Sequence, residues 1–225
     1  MTNFDDLNKQ AWGKSILKHQ MLYPNERIVS FLARNFKDID HNHVKNALDV
    51  GFGSGRHLKL LLDYGFNTYG IDYSKESFQI ANSVLGHHEK LKGLKLESIE
   101  ENSFFNEFFD VILLFGVVFL RKYDQMFNDL KTMYQLLKPN GKMIVNFRTT
   151  EDFLFGKGRK ISEETYHLGN SVPVYQNMLY TFLSKEQAEM LLTKVGFTVE
   201  NIERDDYWKN NLSEKHSWWV FTVRK

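Results

Sequence analysis

Short continuous apolar runs alternate along the chain with segments whose apolar residues recur at helical spacing. Residues 26–36 place Ile28, Val29, Leu32 and Phe36 on one stripe, the mark of a helix that packs on one side. Downstream, the pattern predicts a strand over 47–50, a helix over 56–64, a strand over 67–71, a helix over 75–85 and a short strand over 94–97. Residues 109–115 read as a strand without polar alternation, as the centre of a parallel sheet requires. A helix over 123–137 follows, stopped by Lys138-Pro139-Asn140-Gly141, and a fifth strand covers 142–147. Strand and helix in strict alternation predict a doubly wound, mostly parallel α/β sheet with helices on both faces.

The chemistry concentrates where the first strand ends. Asp49-Val50-Gly51-Phe52-Gly53-Ser54-Gly55-Arg56 joins an apolar strand to a helix, and Gly70-Ile71-Asp72-Tyr73-Ser74 ends the second strand on another acid. Glycines suit a tight turn that a ligand approaches closely, since no Cβ stands in the way. Asp72 follows Gly51 by 21 residues, the reach of one helix plus one strand, so its carboxylate would meet two ribose hydroxyls. The alternative is a purely structural turn, with Asp72 as N-cap of the helix that follows Tyr73-Ser74-Lys75-Glu76. A dinucleotide fingerprint would read G-x-G-x-x-G and leave a helix N-terminus bare for pyrophosphate; this chain has G-x-G-x-G preceded by an acid.

That motif resembles the first motif of the class I S-adenosylmethionine-dependent methyltransferases. Phe108-Phe109-Asp110-Val111-Ile112-Leu113 and Leu136-Leu137-Lys138-Pro139-Asn140-Gly141-Lys142 are similar to the family's fourth- and fifth-strand motifs, so the matches span 46–147. Phe197-Thr198-Val199-Glu200 and Trp218-Trp219-Val220-Phe221-Thr222-Val223 resemble its strands six and seven. The resemblance implies a seven-stranded sheet with an antiparallel C-terminal hairpin at one edge. It also implies S-adenosylmethionine as cofactor and S-adenosylhomocysteine as by-product. Asp49 and the backbone of Gly51, Gly53 and Gly55, with Phe52 and Arg56 between and beside them, would face the methionine part. Asp72 would take the ribose, and Tyr73 would lie on the adenine face or pack in the core. The adenine contact would fall near Ser98-Ile99, flanked by Glu97 and Glu100, and Phe115 and Gly116 would floor the pocket.

Length and composition narrow the class. A chain of 225 residues with 42% hydrophobic content can bury one full α/β core, and a formal charge of +1 carries no nucleic-acid footprint. It divides into an N-terminal cap (1–36), a cofactor core (46–147), a substrate-cap excursion (149–182) and a C-terminal helix and hairpin (183–225) of one domain. With no cysteine there are no disulfides, thiolate metal sites or cysteine nucleophiles, which suits a reducing cytoplasm. The N-terminus lacks the apolar core of a signal peptide, and the longest apolar run, 111–120, is too short to cross a bilayer, so no membrane partner is expected. No carboxylate cluster predicts a metal. Phe115-Gly116-Val117-Val118 is not the (Asp/Asn)-Pro-Pro-(Tyr/Phe) loop of enzymes that methylate DNA amino groups.

These exclusions leave a small-molecule acceptor, with oxygen the favoured atom and direct in-line displacement the mechanism. Arg148, Lys157, Arg159 and Lys160 concentrate positive charge in or beside the excursion, either as a solvated loop or as a clamp on an acceptor anion. His167 is the favoured general base because of its loop, with Tyr166 its neighbour; His19, His216 and Tyr23 are the other candidates. Trp12, Tyr175, Tyr207, Trp208, Trp218 and Trp219 offer flat surfaces, most of them core and one or two suited to stacking on a sugar or an aromatic acceptor. Tyr23-Pro24-Asn25-Glu26 together with His216-Ser217-Trp218-Trp219 resembles small bacterial methyltransferases of sugars and secondary metabolites, which would put Tyr23 and His216 against the acceptor. A nicotinamide-dependent oxidoreductase and a non-catalytic binding or scaffolding protein of the same fold are the rivals, and oligomeric state stays open.

Overall fold

A computed structural model describes residues 4–37 and 45–225. The alternation read from the sequence appears as β1 (Asn46–Val50), α3 (Arg56–Asp63), β2 (Asn67–Ile71), α4 (Lys75–Leu85), β3 (Leu91–Lys95), β4 (Phe109–Leu114), α5 (Tyr123–Leu136) and β5 (Leu137–Thr149). Ahead of these lie α1 (Phe4–Lys18) and α2 (Glu26–Asn35). After them come β6 (Arg159–Ser162), β7 (Thr165–His167), β8 (Leu179–Leu183), α6 (Lys185–Val195), β9 (Thr198–Lys209) and β10 (Glu214–Arg224).

The parallel strands lie in the order β3-β2-β1-β4-β5, and β10 then runs antiparallel to β5 with β9 outside it, giving the seven-stranded sheet with its C-terminal hairpin. Side chains alternate across this sheet as the two-residue period demands. Val111, Leu113, Ile144 and Val220 meet Ile28, Phe31 and Leu32 of α2 on one face. Ile112, Leu114, Met143 and Val145 meet Met126 and Leu130 of α5 and Leu191 and Leu192 of α6 on the other.

Four boundaries differ from the sequence reading, each for a physical reason. β3 ends at Lys95, so Ser98 and Ile99 belong to the loop beyond it. Lys138-Pro139-Asn140-Gly141 bulges within β5, where the register slips between Phe109 and Val111 and Asn140 adopts φ +63°. β9 and β10 are 12 and 11 residues long because backbone pairing carries the hairpin through polar positions with no hydrophobic pattern. The excursion after β5 is no loop. Its strands β6, β7 and β8 pair antiparallel, and β8 joins the main sheet beside Arg148 and Thr149, where β5 outlasts β4. Among the described residues, no helix is long and apolar enough to cross a membrane.

Candidate active site

The glycine turn is built as its spacing requires. Gly51, Gly53 and Gly55 all have positive φ (+69°, +55° and +86°), a region that residues with a Cβ rarely adopt. Gly51 closes the turn by donating its N–H to the Ile71 carbonyl at 2.8 Å, and a Cβ there would lie 2.4 Å from Cγ2 of Val117. Gly55 starts α3 and packs on Ala81 and Leu85 of α4.

Asp72 joins the two acid-bearing strand ends. Its Oδ2 accepts the Gly53 N–H at 2.9 Å and its Oδ1 the Ser74 N–H at 2.8 Å. Burial pushes its carboxyl pKa up, opposed by these bonds. The N-cap of α4 is Ser74, whose hydroxyl accepts from the Ser77 N–H, so Asp72 is left for another task. Asp49 is also buried, its Oδ2 has no partner, and burial pushes its pKa well up against the attraction of Arg56. Burial pulls the Arg56 pKa down, Asp49 raises it, and Arg56 donates to the Tyr23 carbonyl at 3.1 Å.

A cleft of about 600 Å³, open mouth included, lies over these strand ends. Gly51, Asp72, Tyr73, Ser98, Ile99 and Gly116 line it as expected. Trp12, named from the sequence only as a flat surface for a sugar or an aromatic acceptor, lines it too, and Val117, Leu120 and Arg121, which the sequence reading missed, add to the wall. Glu100 pairs with Arg121, which also holds the buried Asp129 at 3.0 Å, and Ser98 donates its hydroxyl to Glu101 at 2.9 Å. Helix α1 covers the cleft, pinned by the buried Asn8: its amide nitrogen donates to the Leu120 carbonyl and its oxygen accepts the Leu179 N–H, both at 2.8 Å. Nothing in the apolar pattern of α1 singles Asn8 out.

Asp49, Phe52, Gly53, Gly55, Arg56 and Phe115, also expected at the cofactor, do not line the cleft. Phe52 is buried with Leu58 and Ala81 between α3 and α4. Phe115 does not floor the cleft; it packs toward the α2/α3 face, edge-on to His57 at 6.4 Å. The chain turns at Gly116, whose N–H donates to Asn146 Oδ1 at 2.7 Å and whose missing Cβ would face open space, so Gly116 and Val117 form the wall instead.

Of the residues expected at the acceptor, Arg148 is not a free clamp. It is buried and ion-paired to Asp152, whose carboxylate also accepts the Ser217 and Leu154 N–H groups. The rings of Tyr180, Trp218, Phe119 and Tyr175 surround its guanidinium at 4.7–5.8 Å, and its Nε has no partner. His216 stacks beside Tyr207 (5.2 Å) and Trp218 (5.9 Å), which stack on each other at 5.3 Å, with Phe153 edge-on at 4.6 Å; it is 1% exposed, neither ring nitrogen has a hydrogen-bond partner, and Nε2 lies 3.6 Å from Glu214 Oε2. Burial first, and then Lys209 and Arg148, lower its pKa. Arg159 stands apart on exposed β6, near the Phe4 ring, and does not meet Arg148. His167 lies 5.2 Å from Phe4, away from the cleft lining, with its pKa lowered by burial and Arg159. Tyr166, on the opposite face of β7, is core against Phe155 and Phe182, and the Tyr23 side chain is 83% exposed.

A family profile described as a methyltransferase domain matches residues 17–202. The chain belongs to that family. This methyltransferase is similar to the ubiquinone biosynthesis O-methyltransferases of Rickettsia typhi and Rickettsia prowazekii, 25% identical to each over 209 residues that cover 90% of the chain and 80% and 79% of theirs. Among solved structures it is similar to the Burkholderia thailandensis 1,6-didemethyltoxoflavin-N1-methyltransferase with bound 1,6-didemethyltoxoflavin and S-adenosylhomocysteine (TM-score 0.72, 16% identity, 99% of this chain and 88% of that one). A second is the N-methyltransferase NodS of Bradyrhizobium japonicum (TM-score 0.67, 16% identity, 98% and 99%). The methyltransferase has the class I fold and uses S-adenosylmethionine, so the nicotinamide and scaffold readings fall. Its residues fit that cofactor. The orphaned Asp49 Oδ2 suits an ammonium, Asp72 retains free lone pairs for hydroxyls, and the glycine turn leaves room that a Cβ at Gly116 would enter.

Proposed function

We propose that this small-molecule methyltransferase acts on a hydroxyl oxygen of a planar or ring-bearing acceptor. In this reading Asp72 takes the ribose hydroxyls, Tyr73, Ser98 and Ile99 hold the adenine, and Asp49 takes the methionine ammonium with Gly51, Gly53, Gly55, Arg56 and Gly116 around it. Bound S-adenosylmethionine supplies an electrophilic methyl group on a sulfonium. The residues of the chain align the acceptor, exclude water and take the hydroxyl proton.

The observation that carries the acceptor side is His216, whose ring nitrogens make no hydrogen bond and whose Nε2 is 3.6 Å from Glu214, inside a wall of rings. Phe119 connects that wall to the cleft, since it stands between the lining residues Val117 and Leu120 and lies 5.5 Å from the Arg148 guanidinium. A buried neutral imidazole accepts a proton from an acidic hydroxyl, and in this reading the Arg148 Nε–H, which has no hydrogen-bond partner, steadies the oxygen that loses it. The expectation of an Arg148–Arg159 clamp gives way to this single donor. The curated relatives, named as O-methyltransferases, support oxygen as the receiving atom, and the absence of cysteine suits a reducing cytoplasm.

The test is methyl transfer from labelled cofactor to a panel of hydroxy-aromatic and amino-aromatic compounds, with products assigned by mass spectrometry and NMR. Methyl ethers as the main products support the reading; N-methyl products overturn it. With an acceptor in hand, His216→Ala should lower kcat by roughly 10²-fold or more, while His167→Ala should leave kcat and its pH profile nearly unchanged. The reverse pattern would make His167 the base.

A further inference from the structure

Trp12 has no structural employment that accounts for it. It is half-buried on α1, and among the described residues it joins none of the hydrophobic clusters. Its indole instead lines the cleft with Gly51, Asp72 and Gly116, and its Cζ2 lies 3.6 Å from the position of a Cβ on Gly53. The ring therefore covers the glycine turn, where the sulfur end of the cofactor must pass between ribose and methionine.

The surroundings favour positive charge. Asp72, Glu97 and Glu100 line the cleft and Asp49 lies two residues before Gly51. The cation in that lining, Arg121, is engaged by Glu100 and Asp129. An indole face attracts a cation more strongly than it attracts a neutral thioether, whose sulfur keeps a weaker contact with the ring. S-adenosylmethionine carries a sulfonium and S-adenosylhomocysteine does not, while the two share every other polar group.

We infer that Trp12 reads the charge on the cofactor's sulfur, holding S-adenosylmethionine in preference to the by-product and so helping S-adenosylhomocysteine leave after transfer. The inference rests on the assignment of this cleft to the cofactor. Trp12 acts here as a specificity-determining residue and takes no part in moving the methyl group.

The test is calorimetric titration of the full chain, without acceptor, against S-adenosylmethionine and S-adenosylhomocysteine. Trp12→Leu should weaken S-adenosylmethionine by roughly three- to tenfold and S-adenosylhomocysteine by a clearly smaller factor, shifting the ratio of the two Kd values. Trp12→Phe, which keeps a ring of similar shape, should recover part of that ratio and guards against a folding defect in the leucine variant. Equal losses for both ligands, or an unchanged ratio in both variants, would overturn the inference and reduce Trp12 to a cover. Should the wild type bind neither ligand, or Asp72→Ala bind both as tightly as wild type, the assignment of the cleft itself fails.

Discussion

The carboxylate of Asp72 and the backbone N–H of Gly53 are hydrogen-bonded at 2.9 Å, so the ends of the first two strands are tied by the same acid that faces the cleft. The glycine turn and the strand-end acid, 19 residues apart, form one unit.

Asp72→Ala should therefore do two things. Loss of charge-assisted bonds to ribose lowers S-adenosylhomocysteine affinity by at least about tenfold. Two buried N–H groups, of Gly53 and Ser74, also lose their acceptor, which costs roughly 1–3 kcal/mol each. Titration and urea unfolding read the two effects separately, and unchanged affinity in a folded variant would remove Asp72 from the ribose site.

Gly51→Ala meets both a positive φ of +69° and the Val117 methyl at 2.4 Å. Cofactor affinity should fall more than about tenfold, since the turn must shift. Adding Val117→Ala should restore part of the affinity by removing the clash but not the backbone strain. Full affinity in the single variant would show that the turn is not part of the cofactor site.

Arg148→Ala strands the fully buried Asp152 carboxylate among the Ser217 and Leu154 amides. Removing one partner of such a pair costs about 3–5 kcal/mol. The double variant Arg148→Ala/Asp152→Ala should cost less than the sum of the two single losses, as measured by denaturant midpoints. Additive losses would deny the coupling.

His57 gives the fold an acid sensitivity. Burial, with help from Arg56, lowers its pKa to about 3, and its Nε2 accepts the Asn25 N–H at 3.3 Å, a bond that needs the neutral ring. The unfolded chain binds a proton at about pH 6.5 and the folded chain only near pH 3, so its contribution is whole above about 6.5 and is lost as pH falls toward 3. The slope is at most about 1.4 kcal/mol per pH unit. Buried Asp49 and Asp72, with raised pKa values, act in the opposite sense. The measurement is thus a comparison: unfolding midpoints of His57→Gln should decline less between pH 7 and 5 than those of wild type.

The parallel sheet was legible because its strands are buried on both faces and read as apolar runs, and the glycine turn because positive φ admits few other residues. Other features leave no such trace. Helix α1 is polar along most of its length, so Asn8 does not stand out from a solvated segment, and Trp12 stands out only as a flat surface whose place over the glycine turn the sequence does not reveal. β9 is an exposed edge strand rich in charge, held by register with β10 and by ion pairs such as Arg27–Asp205 rather than by hydrophobic alternation. The choice between Phe115 and Val117 as cleft wall turns on the positive φ at Gly116 between them, which a residue count does not reveal. Arg148 looked like a free cation because Asp152, four residues on, reads from sequence as a surface loop acid.

Asn8 answers to two parts of the molecule at once, the turn after β4 that walls the cleft and the strand β8 of the excursion. One side chain thus ties α1 to both, and Asn8→Ala removes the two ties together, leaving the Leu179 N–H and the Leu120 carbonyl to find other partners.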